Sequence, residues 1–377
     1  MEEAKVPVNG ANETNENQAE KKPGKFKAFL KKKDIEISLK RYGIDALGAM
    51  AQGLFCSLLI GTILNTVGSQ FNIPFLTAEV GATGLTAGSL AMAMSGVAMA
   101  VAIGYALHCP PLVLFSLATV GYATNSLGGA GGPLAVLIVA IIAAEVGKAV
   151  SKETKIDILV TPIVTIGVGV SLAAWWAPTI GAAALKVGDF IKWATDLRPF
   201  LMGILVSVVV GIALTLPISS AAICASLVLT GLAGGAAVAG CCAQMVGFAV
   251  ISFRDNKWGG LVSQGIGTSM LQMPNIIKNP RIWIAPILTS AITGPIATCL
   301  FKLEMNGAAI NSGMGTCGFC GQIGVYTGWV VTNHVITGMD WAGLILVSIV
   351  LPAIIAFAIN EILRKIGWVK PGDMLLD

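Results

Sequence analysis

Long apolar stretches alternate with short polar or glycine-rich interruptions along most of this chain. About 20 apolar residues cross the hydrocarbon core of a bilayer as a helix. By that measure the pattern predicts spans over 42–68, 84–107, 133–150, 157–177, 199–216, 231–253, 283–303 and 341–362. Residues 110–122 and 218–230 are apolar but too short to cross alone. Residues 259–274 are short and rich in Gly, Gln and Ser, which suggests a re-entrant segment. Residues 306–328 are too polar and Gly-rich to face lipid. The sum is an all-α polytopic membrane protein with about eight to ten crossings, depending on how the half-segments pair.

Three interruptions stand out: residues 125–133, 231–235 and 313–324. Non-helical backbone at membrane depth is tolerated only where protein or water satisfies its N–H and C=O groups. Transporters use such broken helices to bring backbone dipoles and polar side chains near the midplane. Two of the breaks recur in similar surroundings. Pro110-Pro111, Gly128–Gly132, a full span, a charged loop and Thr161-Pro162 match, in order, Pro217, Gly231–Gly235, a span, a charged loop and Ala285-Pro286. That order predicts an internal repeat.

Composition agrees. The chain of 377 residues is 55% hydrophobic and 12% charged, against about 25% charge in soluble domains. A net charge of +4 gives no reason to invoke nucleic acid. The distribution of charge is more telling. Lysines crowd before the first span, Arg364, Lys365 and Lys370 follow the last, and the positive-inside rule then puts both termini in the cytoplasm. Residues 1–24 read as a disordered polar tail. Residues 25–41 read as a basic amphipathic helix on the inner leaflet. Residues 42–368 form the transmembrane unit and 369–377 a short C-terminal tail. No short apolar region lies near Met1, so no cleavable signal peptide is expected. The charged stretch 181–197, with Lys186, Asp189, Lys192 and Asp196, reads as a surface connector.

Ionisable groups at membrane depth are functional candidates because uncompensated charge there is costly. Glu145 and Lys148, one turn apart, read as an interfacial pair. Glu304 closes a span and leads into Asn306 and Asn311 just before the third break, which makes it the best single candidate for a substrate contact. Gln244, Gln264, Gln272, Asn275 and Gln322 lie in or beside apolar segments, and Asn125 opens the first break. Amides donate and accept, as recognition of hydroxyl groups requires; they also serve as helix–helix hydrogen bonds. His108, before Cys109-Pro110-Pro111, is either a proton relay or ligand contact, or a cap on a broken helix. The candidate substrate-binding set is therefore Glu304, Asn306, Asn311, Gln322, Gln244, Gln272, Asn125 and His108.

Eight cysteines are scattered through apolar segments and only two histidines exist. Cys317 and Cys320 form a lone CxxC, and buried free thiols are the expected state. No metal, cofactor or catalytic residue is predicted. No GxxxxGK[ST] phosphate loop is present, so the chain carries no ATPase of its own.

With the breaks placed, the segments 216–220, 231–235, 267–270, 272–276, Asn279-Pro280, Pro286, 293–295 and 313–324 together resemble the phosphotransferase-system enzyme IIC family of membrane proteins, PfoR type. The resemblance runs from about Tyr42 to Asp373. It implies a bacterial inner-membrane permease subunit that translocates a sugar or similar small polar solute. It further implies separate cytoplasmic IIA and IIB phosphocarriers as partners, and a homodimer. No appended IIA or IIB domain, and no phosphorylatable Cys or His in a soluble segment, is expected in this chain. A ligand-sensing membrane regulator without net transport is the alternative function.

Overall fold

The computed structural model describes residues 25–376. The polar tail 1–24 lies outside the described residues. Among them the chain is helical throughout, and the only extended pairings are two isolated bridges, Glu79 with Thr86 and Gly231 with Met305.

Helix α1 (Lys25–Lys32) precedes a turn. Lys32 and Lys33 pair with Glu153, which fastens this basic segment to the loop after residue 150. The first long helix, α2 (Arg41–Gln70), starts beside it. Helix α3 is two pieces, Ala87–Ala93 and Ser95–Ala106, bent by 52°; it returns to bring Leu107 and His108 beside Arg41.

Helices α4 (Pro111–Gly128) and α5 (Gly132–Val150) form a hairpin. Its turn needs glycine, because Gly129 adopts φ 49° and ψ −122°, a conformation that a Cβ makes costly. Val113 lies against Gly147, so the two legs run antiparallel. The expectation that residues 110–122 are too short to cross is corrected here. The helix continues through Thr124 and Asn125 to Gly128, giving 18 residues or about 27 Å. Its polar side chains are satisfied within the bundle: Thr124 Oγ1 donates to Val120 O and Asn125 Nδ2 to Ser95 Oγ.

Helix α6 (Asp157–Thr195) has 39 residues, about 58 Å. The predicted surface connector at 181–197 is therefore helix. Ala184, Gly188, Ile191 and Ala194 are buried at helical spacing, while Lys186, Asp189 and Lys192 occupy the exposed face. The charges mark one side of a helix that continues beyond the hydrocarbon thickness of about 30 Å.

Helix α7 (Pro199–Thr215) runs parallel to α9 (Gly231–Ile251), with Gly211 against Gly240 and Gln244. It stops at the level of Gln244, about 10 Å short of the end of α9. The chain then reverses, Ser219 N–H donating to Ala130 O at 2.9 Å, and the short α8 (Ser220–Ser226) climbs back to Gly231. The stretch predicted to span at 199–216 is thus one leg of a hairpin that enters and leaves by the same end. Helix α9 is the axis of the fold, buried along nearly its whole length from Ala233 to Ile251. Its Gly, Ala and Cys positions let neighbours approach from every side.

A second hairpin enters from the Arg41 end. It descends through α10 (Phe253–Val262), turns over 263–269 and returns through α11 (Met273–Lys278). Helix α12 (Pro280–Leu300) then runs to the far end, Ser290 meeting Gly240 and Gly294 meeting Gly203. A third hairpin, residues 306–331, dips in from the far end to Thr316. It returns through α13 (Cys320–Val331), so that Gly328 lies against the backbone of Asn306. Helix α14 (Gly338–Lys365) crosses back, and the C-terminal tail ends beside Gly48 and Asn275 at the Arg41 end.

Six helical stretches are long and apolar enough to cross a membrane, and the bent α3 adds a seventh. The fold-back at Gly129 divides one of the six into two legs, Pro111–Gly128 and Gly132–Val150, which makes eight helical legs of about membrane-crossing length. Both described ends therefore lie on one side. The predicted repeat diverges at its leading halves: α4 is a full-length helix, whereas its counterpart α8 has seven residues.

Candidate functional site

The hairpins meet tip to tip inside the bundle. Thr215, where α7 ends, shares a 2.8 Å hydroxyl contact with Ser269 at the tip of the second hairpin. Thr316, the deepest point of the third hairpin, donates to Gly265 O of the second. Gln244 on α9 ties this junction together: its Oε1 accepts from Trp283 Nε1 at 2.8 Å and from Thr215 Oγ1, and its Nε2 donates to Ser290 Oγ. Gln244 is fully buried and its amide is committed at both ends.

One step toward the far end the accounting does not close. Gln322 Nε2 donates to Cys242 Sγ at 3.2 Å, but Gln322 Oε1 is buried without a partner, as is Ser348 Oγ on α14. Asn311 is buried nearby, its Cβ against Gly324 on α13. Ser348 sits in a widened turn, Leu346–Val350, that precedes Pro352; such single wide turns are frequent at functional sites. Unpartnered buried acceptors are uncommon in folded proteins and call for a reason.

At the far end, where the third hairpin begins, a cavity of about 280 Å³ opens beside Lys302, Glu304, Asn306, Trp329, His334 and Asp340. Met305 and Gly231 exchange backbone hydrogen bonds at 2.9 Å in both directions, and Gly231 N–H also donates to Asn306 Oδ1 at 3.0 Å. Asn306 Nδ2 donates to Glu304 Oε2 at 2.9 Å, which orients a carboxylate that remains solvent-exposed. Across the cavity, Asp340 Oδ2 accepts from Thr337 N–H and Oγ1, capping α14, and lies 3.2 Å from His334 Nε2. Trp329 stands edge-on to Trp341 at 5.5 Å and has Tyr326 beside it. The cavity brings two carboxylates, Glu304 and Asp340, to one side and the edge of the largely buried Trp329 to the other, and O–H groups of a polyhydroxyl solute can donate to those carboxylates.

The family model of the phosphotransferase system, EIIC, matches residues 44–376. The chain belongs to that family. No curated protein and no solved structure matches it. EIIC membership makes it a sugar-specific permease subunit of the membrane, one that works with cytoplasmic IIA and IIB components.

In this EIIC chain the eight candidate residues do not form one site. Glu304 and Asn306 share the far-end cavity. Gln322, Asn311 and Gln244 lie along the interior between that cavity and the hairpin tips. Asn125 is lateral, between α3 and α5, with its Nδ2 on Ser95. Gln272 and His108 are at the Arg41 end. Gln272 links Gln264, Asn275 and the carbonyl of Met374. His108 Nδ1 lies 3.1 Å from Asp34 Oδ2. Arg41 grips the same carboxylate with two nitrogens, at 2.9 and 2.6 Å. Those hydrogen bonds hold Asp34 down to about 2, well below the ordinary carboxylate value. Lys148, 2% exposed, donates to Asp34 O and Leu107 O, and its Nζ lies 2.9 Å from Glu145 Oε2 without the alignment of a hydrogen bond.

Sequence reasoning missed Trp329, His334 and Asp340. A signal was present. Thr337-Gly-Met-Asp340 has the form of a capping box at the start of an apolar span, and the structure forms that box. What no pattern shows is that the end of α13 and the start of α14 face Glu304.

Proposed function

We propose that this EIIC chain, of the PfoR type, takes up a sugar at the far-end cavity and passes it inward along the third hairpin. The observation that carries this reading is the coupling of Glu304 and Asn306 to Gly231. A solute that engages the Glu304 carboxylate pulls on the bridge joining the third hairpin to the head of the central helix. Gln322 and Ser348 supply the next unmatched polar atoms on the way to the hairpin tips. The inferred orientation has the Arg41 end in the cytoplasm of a bacterial inner membrane. In its support, Lys186, Lys192, Arg198 and Lys302 are the only lysines and arginines among the described residues at the far end, and basic residues favour the cytoplasmic side. The cavity then opens to the outside, and the phosphocarrier partners meet the Arg41 end.

Uptake of a panel of radiolabelled hexoses, pentoses and polyols into proteoliposomes, with and without IIA, IIB and phosphoenolpyruvate, tests the proposal. Saturable uptake of at least one solute, with an affinity that Glu304→Gln lowers by about tenfold to a hundredfold, is the expected result. Uptake indifferent to Glu304→Gln, Asn306→Ala and Trp329→Ala would place the site elsewhere.

A further inference from the structure

The C-terminal tail is bound with more specificity than packing requires. Asn256 on α10 donates from Nδ2 to Met374 O at 2.7 Å and accepts at Oδ1 from Leu376 N–H at 2.8 Å. Gln272 donates to Met374 O and Asn275 to Leu375 O, at 2.9 and 2.8 Å. Asn279 donates to Trp368 O and to Asp373 Oδ2. Gly372 N–H donates to Asp255 Oδ1. Met374 is fully buried. The ladder of amides reads the tail's backbone as a strand would, without a sheet.

All five of these side chains belong to the two legs of the second hairpin: Asp255 and Asn256 to the descending leg, Gln272, Asn275 and Asn279 to the returning leg and the turn after it. The tail therefore crosses the base of the hairpin and fastens one leg to the other. The tip of the same hairpin carries Gly265 and Ser269, the groups that close against Thr316 and Thr215. Movement of this tip away from its partners requires its legs to shift against the tail.

The joint beside the tail is incompletely paired. Arg364 Nε, Asp255 Oδ2 and both amide atoms of Asn360 are buried without hydrogen-bond partners, and Arg364 Nη2 stands 4.0 Å from Asp255 Oδ2. Asn360 and Arg364 share one face of α14, four residues apart. Buried polar groups left unpaired favour any arrangement that pairs them, and the tail's hold on Asp255 Oδ1 opposes a closer approach of Asp255 to Arg364. In the present packing Arg364 Nη2 donates instead to Ile251 O at 3.4 Å.

We propose that residues 370–376 are a latch that holds the Arg41-end hairpin shut, and that release of the tail frees the hairpin tip. The latch rests on the transport reading only for its consequence, since opening of this hairpin is measured with no solute present. The test places a thiol at the closed junction, Ser269→Cys, in protein reconstituted in lipid nanodiscs. Labelling by a small methanethiosulfonate reagent is followed by peptide mass spectrometry, which separates this thiol from the native ones.

Adding Asn256→Ala removes two of the tail's hydrogen bonds, and labelling of Cys at 269 is expected to accelerate about tenfold. A cysteine pair at Leu271→Cys and Leu375→Cys, residues that line one small cavity between tail and hairpin, is expected to slow labelling when oxidised and to restore it on reduction. Unchanged labelling in a folded Asn256→Ala protein overturns the latch. If that variant does not fold, the oxidised pair decides alone: labelling that does not slow overturns the proposal.

Discussion

Gly231 and Met305 lie 74 positions apart and are paired like two residues of a sheet, N–H to O at 2.9 Å in each direction. This bridge fixes the head of the buried central helix to the segment that carries Glu304 and Asn306. It exists because small residues surround it. Gly231 takes φ 63°, and a Cβ at Gly235 would run into the carbonyl oxygen of Leu303. Gly235→Ala is therefore expected to destabilise by about 1–3 kcal/mol, the cost of forcing extra volume into a packed interior. Thermal unfolding in detergent checks this; a melting temperature equal to that of the parent would show that the backbone yields there at no cost.

Glu304→Gln keeps the shape and the hydrogen bond from Asn306 but removes the charge. Hydrogen bonds to charged groups contribute about 1.5–3 kcal/mol, so solute affinity is expected to fall between about tenfold and a hundredfold. The fold should survive because the Glu304 side chain is exposed. Uptake kinetics beside a thermal melt separate the two effects.

Gln322 points the other way. Its Oε1 is buried without a partner, and such a group costs about 1–3 kcal/mol. Gln322→Leu is expected to leave stability equal or raised while reducing uptake. A variant that is both less stable and fully active would make the amide a structural hydrogen bond and nothing more.

Lys148 is an interior cation serving two carbonyls and a carboxylate. Removing one member of a buried ionic joint costs about 3–5 kcal/mol. Lys148→Ala is expected to lower the melting temperature more than any change at Lys152, which is exposed. Equal melting temperatures for the two variants would contradict that ranking.

The neighbouring Asp34 adds a pH dependence. Its pKa in the fold is depressed to about 2 by Arg41, so the contribution of this pair is complete above the ordinary carboxylate value of about 3.9. It is lost as pH falls from there through about 2. Acid titration of the melting temperature should show a loss in this window that Asp34→Asn lacks. Persistence of the same loss in Asp34→Asn would assign it to other carboxylates.

Several features were legible without coordinates. The apolar runs gave the helices, and the Gly-rich run at 313–324 marked a chain that could not face lipid. Glu304 stood out because a carboxylate beside two amides and a break is rare in so apolar a chain. Other features misled. Lys186, Asp189 and Lys192 suggested a loop, but they recur on one face of a helix whose other face is buried. Asn125 looked like a broken helix because an amide in an apolar run resembles a stop; in the fold it has a partner on α3.

The sequence by itself determined the class of this protein, because hydropathy and charge are local quantities and sum along the chain. It also determined where backbone could turn, since Gly129 and Gly231 adopt conformations that other residues avoid. Only the tertiary structure decided which turns enter and leave by the same end. That choice depends on contacts between distant residues: Thr215 with Ser269, Thr316 with Gly265, Gly231 with Met305. Each side of these pairs is an ordinary hydroxyl, carbonyl or glycine, and nothing in its own stretch of sequence names the other.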